Sequence, residues 1–165
     1  MSTVTFLQIK ELLNKHKVQY SHVTHNDVTK SSFEAAKIRG TRIEDAAKAI
    51  ILKAELKDKT IKFIQAVVPG DKKIDLKKLR NLLNVKNVSL ASPDEVFEKT
   101  GCTIGSVPPF GNLFDIDMFL DESILQKEKI VFSAGTHTDS IIISPKDYFN
   151  VTNPTLVNIL KENIN

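Results

Sequence analysis

Few residues in this chain have the type and spacing that catalysis requires, and most familiar arrangements are missing. No G-x-x-x-x-G-K-[ST] phosphate loop occurs, and the glycines from Gly101 to Gly111 lack the spacing and strand–helix context of a dinucleotide fingerprint. His16, His22, His25 and His137 are scattered; only His22-x-x-His25 has paired spacing, in a segment read as loop, so neither a metal centre nor a cofactor is expected. There is no G-x-S-x-G elbow, and Cys102 beside Gly101 has no evident base, which suits a small buried residue at a turn better than a nucleophile.

Two features remain. Lys48 enters the otherwise apolar run Ala46-Ala47-Lys48-Ala49-Ile50-Ile51-Leu52. An unpartnered buried ammonium is unfavourable, so the residue either snorkels to solvent, the ordinary habit of lysine, or faces a polar cleft. The second feature is a pair of loops. Gly105-Ser106-Val107-Pro108-Pro109-Phe110-Gly111 is a stiff segment bounded by glycines, able to present backbone N–H groups to a developing oxyanion. Ala134-Gly135-Thr136-His137-Thr138-Asp139-Ser140 offers a close-approach glycine and an imidazole. Taken singly, each loop also reads as an ordinary turn.

The elements that must hold these residues follow from periodicity and punctuation. Phe6, Ile9, Leu12 and Leu13 recur at helical spacing, giving an N-terminal amphipathic helix to about Lys17, and a short strand is expected over Val18–Val23. Ser31-Ser32-Phe33-Glu34 opens a helix that stops at Gly40, and Ile43–Ala46 forms a helical turn. The strand Ala47–Ala54 turns through Asp58-Lys59 into Ile61–Val68. Asp75 caps a helix carrying Leu76, Leu79, Leu82 and Leu83, and Ser92-Pro93-Asp94-Glu95 starts another that closes at Gly101. Strands are expected at Val85–Leu90, Asp115–Leu120, Lys129–Ser133 and Ser140–Ser144. The sum is an α+β single domain around a mixed, partly barrel-like β-sheet flanked by helices.

Composition narrows the function. The 165 residues, 41% hydrophobic and 26% charged, suit one soluble domain. Apolar runs are too short to span a bilayer, and the first residues lack a secretory pattern, so a cytoplasmic setting without a membrane partner is expected. Net charge is only +3, but Lys72, Lys73, Lys77, Lys78, Arg80 and Lys86 crowd one stretch. That stretch is either a phosphate-contacting patch or a solvated helix face.

Taken together, the segments resemble the YbaK family of aminoacyl-tRNA editing domains, which includes the editing insertion of prolyl-tRNA synthetases and freestanding relatives. From about Ser31 to Tyr148 the matching order runs through Ala46–Ala49, Val67–Asp75, Ala91–Val96, Gly101–Gly111, Leu120–Ser123, Ser133–His137 and Ile143–Tyr148. The resemblance implies hydrolysis of the ester joining a wrong amino acid to the tRNA terminal ribose, without a metal or a protein nucleophile. By position, Lys48 would hold the terminal adenosine's phosphate or ribose, and His137 the ester or the attacking water. Gly105, Ser106, Val107, Pro108, Pro109, Phe110 and Gly111 would wall the amino-acid pocket and supply donors, Gly111 among the catalytic set, with Gly135 and Thr136 beside them. Lys72, Lys73, Lys77 and Lys78 would contact tRNA phosphates.

The resemblance implies a proline tRNA carrying alanine or another small residue. Alanine-hydrolysing freestanding relatives often place asparagine after the lysine; here it is Ala49, which leaves cysteine, serine and threonine open. The expected partners are misacylated tRNA and a prolyl-tRNA synthetase or synthetase complex. Two other readings stand beside the deacylase: a non-catalytic accessory module that binds tRNA or a synthetase, and the editing domain of a longer synthetase. Residues 1–150 would form the editing domain and 151–165 a C-terminal helix or tail, suggested by Leu156, Ile159 and Leu160.

Overall fold

The computed structural model describes residues 2–25 and 31–162. Helix α1 (Ser2–Lys15) lays Ile9 and Leu13, one turn apart, into the core. Strand β1 (Tyr20–Thr24) follows. Helix α2 (Ser32–Arg39) is capped by the Ser31 hydroxyl, which accepts the Glu34 amide, and ends at Gly40 with φ +68°, a left-handed conformation glycine adopts without strain. A 3₁₀ turn (Ile43–Asp45) then leads into β2 (Ala47–Glu55), which pairs antiparallel with β3 (Ile61–Pro69).

Helix α3 (Leu76–Leu83) starts at the Asp75 cap, strand β4 (Asn87–Leu90) returns beside β2, and α4 (Pro93–Thr100) opens with a full Ser92–Glu95 capping box. A 3₁₀ turn (Gly111–Phe114) precedes β5 (Asp117–Asp121), and another (Glu122–Gln126) precedes β6 (Ile130–Ser133) and β7 (Asp139–Ile143). Helix α5 (Pro145–Thr152) and strand β8 (Thr155–Val157) complete the described elements.

The strands form two sheets: β4-β2-β3-β5-β8, which is mixed, and antiparallel β1-β7-β6. A parallel bridge between Ala46 and Val131 joins them, and the strand orders do not close into a barrel. Along β3, Ile64, Ala66 and Val68 face the cluster under α3, while the alternate residue Val67 faces the cluster of α1, β6, β7 and α5. A third cluster, with Ile51, Val96, Cys102 and Val107, fills the space between α4 and the glycine–proline loop.

Two elements depart from the sequence reading. Of the segment expected as a C-terminal helix or tail, 151–152 end α5 and 153–162 form no helix: Asn153 takes a left-handed conformation, Pro154 follows, and β8 pairs in parallel with the edge of β5, while 163–165 lie outside the described residues. Helical spacing of Leu156, Ile159 and Leu160 misled because the tail's partners are tertiary. Ile159 is fully buried and its N–H donates to Asp121 Oδ1. Helix α5 was not expected, although Ser144-Pro145-x-Asp147 carries the same cap signal as Ser92-Pro93-Asp94.

Candidate active site

The cavity is a gap in a hydrogen-bond ladder. On its β4 side, β2 is paired only from Leu52 to Glu55, and β6 approaches only at the Ala46–Val131 bridge. Between them the edge of β2 is open around Ala49. The Ala46 carbonyl accepts from Gly70 on the β3 side and the Ile51 carbonyl accepts from Ala91 on the other. By the same alternation, the N–H and C=O of Ala49 point into the gap. The resulting cavity, of about 380 Å³, is closed by Ala35 and Arg39 of α2, Ala91 and Val96 beside β4 and α4, Ile104, Gly105 and Val107, and Val131–Ser133 of β6.

Lys48 lines this cavity, resolving the choice left open by pattern. It is half-buried, and its Nζ donates a long 3.4 Å bond to the Lys72 carbonyl. No carboxylate reaches ion-pair distance among the described residues. Burial holds the ammonium below the ordinary lysine range; Asp71 works against that and Lys73 adds to it.

The glycine–proline loop divides in two. Gly105 and Val107 face the cavity, with Gly105 at φ +91°. The remainder turns inward. The Ser106 hydroxyl donates to the Thr103 carbonyl, and Phe110 stacks in the core with Phe132 and Tyr148. The Pro108 carbonyl accepts from Gln65 Nε2 at 3.0 Å, and the Gly111 N–H donates to Gln65 Oε1 at 3.0 Å. The Pro109 carbonyl accepts the Tyr148 hydroxyl at 2.6 Å, a phenol whose own ionisation burial pushes far up. Gly111, expected among the pocket donors, therefore has its amide committed elsewhere. A Cβ there would meet Met118 Cγ at 2.8 Å and the Ile116 carbonyl at 2.9 Å, which explains the glycine by packing.

The second loop braces the first. The Gly135 N–H donates to the Ser106 carbonyl at 3.0 Å, and His137 lies against Gly105, where an added Cβ would sit 3.3 Å from the ring Cε1. His137 Nε2 is 2.7 Å from Thr103 Oγ1. Thr136 donates to Asp139 Oδ2, and His22 Nε2 meets Asp139 Oδ1 at 2.7 Å. Burial acts to raise the Asp139 carboxyl, but the Thr136 hydroxyl and His22 outweigh it and hold it low. Gly135 and His137 thus contact the first loop, Thr136 bonds within its own turn, and none of the three is among the cavity-lining residues.

Cys102 is buried and its thiol is pushed up by burial, which fits a packing role. Among the described residues no group of three or more histidine, cysteine or acidic side chains is placed to hold a metal ion, and no helix is long and apolar enough to cross a membrane. Of the basic stretch, Lys73 and Lys77 are exposed, Lys72 is half-buried beside Lys48, and Lys78 Nζ is tied to the Leu160 carbonyl.

Residues 25–151 match the aminoacyl-tRNA editing domain model. The chain belongs to that family. It is 32% identical over 157 residues to the multifunctional Ser/Thr-tRNA deacylase ProXp-y of Escherichia coli K12, covering 94% of this chain and 93% of the relative. It is 29% identical over 131 residues to a proline–tRNA ligase of Bacillus licheniformis, covering 78% of this chain but only 22% of the ligase. The fold is that of a crystal structure described as a proposed trans-editing enzyme for prolyl tRNA synthetase, with TM-score 0.78, 22% identity and coverage of 96% and 98% of the two chains.

Arg39, Ser133 and the Ala49 backbone escaped the sequence reading of this editing domain, as did Gln65 and Tyr148. Gln65 left a signal: it is the amide inside Ile61-Lys62-Phe63-Ile64-Gln65-Ala66-Val67-Val68, as anomalous there as Lys48 in β2. Nothing local marks Arg39.

Proposed function

We propose that this protein is an aminoacyl-tRNA deacylase that clears a small misattached amino acid, serine or threonine foremost, from tRNA. The observation that carries the reading is the cavity in the β2 gap, where Lys48, the open Ala49 edge and Gly105 meet in a member of the editing-domain family. The choice of serine and threonine is supported by the activity of the Escherichia coli relative. Walls of Ala35, Ala46, Ala47, Ala49, Ala91 and Val107 are apolar and accommodate a small side chain.

In this reading Lys48 holds the phosphate or ribose of the terminal nucleotide and fixes the ester at the gap. A water oxygen attacks the carbonyl carbon, and the oxyanion is met by backbone N–H groups; those of Gly105 and Val107 donate to no acceptor among the described residues. The carbon–oxygen bond to the ribose then breaks, and the proton lost by water goes to the departing ribose oxygen. Orientation and oxyanion stabilisation suffice for an activated ester. His137 acts through Gly105 by holding its turn in place. Lys72, Lys73 and Lys77 supply phosphate contacts, with Lys78 serving mainly to anchor the tail. The protein works in the cytoplasm, with misacylated tRNA and a prolyl-tRNA synthetase as partners.

The test is single-turnover deacylation of tRNA charged in turn with serine, threonine, alanine, cysteine and proline. Hydrolysis of a small misattached residue with proline spared is the expected outcome. Inertness toward all five, with binding to tRNA or a synthetase retained, would move the protein to an accessory module.

A further inference from the structure

Arg39 is the second cation of the cavity and the mechanism above makes no use of it. It lies one helical turn beyond Ala35 on α2, and both line the cavity. Its Nη2 donates to Ser133 Oγ at 3.1 Å, while Nε is shut away from solvent with no acceptor. Among the described residues no carboxylate comes within ion-pair distance. Three residues on, exposed Arg42 has two, Glu44 at 2.7 Å and Asp45 at 3.7 Å. A partly buried guanidinium without a counter-charge is an unfavourable arrangement that an arriving anion relieves.

The sheet register places this cation. From the parallel bridge Ala46–Val131, two residues along each strand bring Lys48 and Ser133 to the rim of one opening. Ser133 seats Arg39, so the two cations flank the same space. The substrate limits what can lie between them. In an aminoacyl ester the amino acid's carboxylate is consumed and its amine is cationic, so the anion is the phosphate of the terminal nucleotide.

Resting on the deacylase reading, we propose that Arg39, seated on Ser133, takes an oxygen of that phosphate and forms with Lys48 an anion subsite that anchors the substrate. Guanidinium suits this role by its fixed fork of donors. A half-buried cation lacking a counter-charge also lowers stability, so its removal should not weaken the fold.

The experiment compares 3′-O-seryl-adenosine with its 5′-monophosphate in wild type, Arg39→Gln and Arg39→Lys. The Gln variant is expected to lose about tenfold or more of the advantage the phosphate confers, through KM, as befits a lost charge-assisted bond. Hydrolysis of the phosphate-free ester should be unchanged, the unfolding midpoint no lower, and the Lys variant intermediate. Equal loss on both esters, or loss confined to seryl against alanyl esters whatever their phosphate, overturns the subsite. Calorimetric titration with adenosine 5′-monophosphate and adenosine separates the two claims. If wild type hydrolyses neither ester, the deacylase reading falls, yet a preference for the monophosphate that Arg39→Gln reduces keeps the subsite; no such reduction removes it. Should Arg39→Gln fail to fold, Ser133→Ala, which unseats the guanidinium but keeps its charge, should reduce that preference less steeply, and an unchanged preference counts against the proposal.

Discussion

On one side of the cavity, the inward-facing polar groups of the loop from Pro108 to Gly111 have partners: Gln65 bridges the Pro108 carbonyl and the Gly111 amide, and Tyr148 donates to Pro109. On the other side, Lys48 makes one long bond to a carbonyl and Arg39 one bond to a hydroxyl, and no acid among the described residues comes within ion-pair distance of either. Fully satisfied buried groups rigidify a wall. Unsatisfied charges at an opening are groups held ready for something else. The contrast separates residues whose polar groups are committed to one another from those that bring uncommitted charge to the cavity, which residue type alone does not do: Gly111 and Lys48 were both expected to be catalytic, and only Lys48 lines the space.

The sharpest break of that contrast is Lys48→Ala. Deacylation should fall about a hundredfold or more, as for loss of a group that positions the ester, with the denaturant midpoint no lower. Retained turnover in single-turnover assays would remove Lys48 from the chemistry. Gln65→Leu should behave oppositely. Leaving a buried carbonyl and amide unpaired is expected to lower stability by about 3 kcal/mol in urea titrations, with activity falling only as the loop loosens. A stable but inactive Gln65→Leu would mean that the loop wall takes part directly.

His137→Ala tests the brace between the two loops. It should slow hydrolysis by about tenfold without altering which amino acid is preferred, because the ring contacts Gly105 from outside the cavity. A change of preference would place the imidazole in the pocket wall.

The smallest effect is in pH. Burial lowers the Lys48 pKa, so its charge is lost at a lower pH than an ordinary lysine's. Adenosine 5′-monophosphate binding should therefore be full well below that pKa and weaken as pH rises through it. The folded state holds this proton less tightly than the unfolded chain, so through this group the same rise contributes to stability, opposite in sign to the loss of binding. Removing the inflection by Lys48→Ala would confirm its origin; an inflection that persists in the variant would assign it elsewhere.

Much of the fold was legible. The caps at Ser31, Asp75 and Ser92, the stops at Gly40 and Gly101 and the β2–β3 hairpin all rest on local backbone chemistry, and they stand as read. The segments that meet around the cavity were legible as well, through the order of motifs from Lys48 to the loop at Gly105 and the turn at His137. The helical alternative for the tail does not hold past Thr152, because its strand exists only by pairing with β5 and by the Ile159 bond to Asp121.

The sequence by itself determined which residues can carry charge, turn or stiffen the chain, because those are properties of single side chains and their near neighbours. Only the tertiary structure decided which of them share a space. The gap beside Ala49 arises because β4 stops at Leu90 and β6 arrives only at Val131. The environment of Arg39 depends on Ser133, 94 positions away, and that of Gly111 on Gln65, 46 positions away. Contacts at such separations leave no periodic trace, since they are set by how strands end and pair rather than by what any one segment prefers.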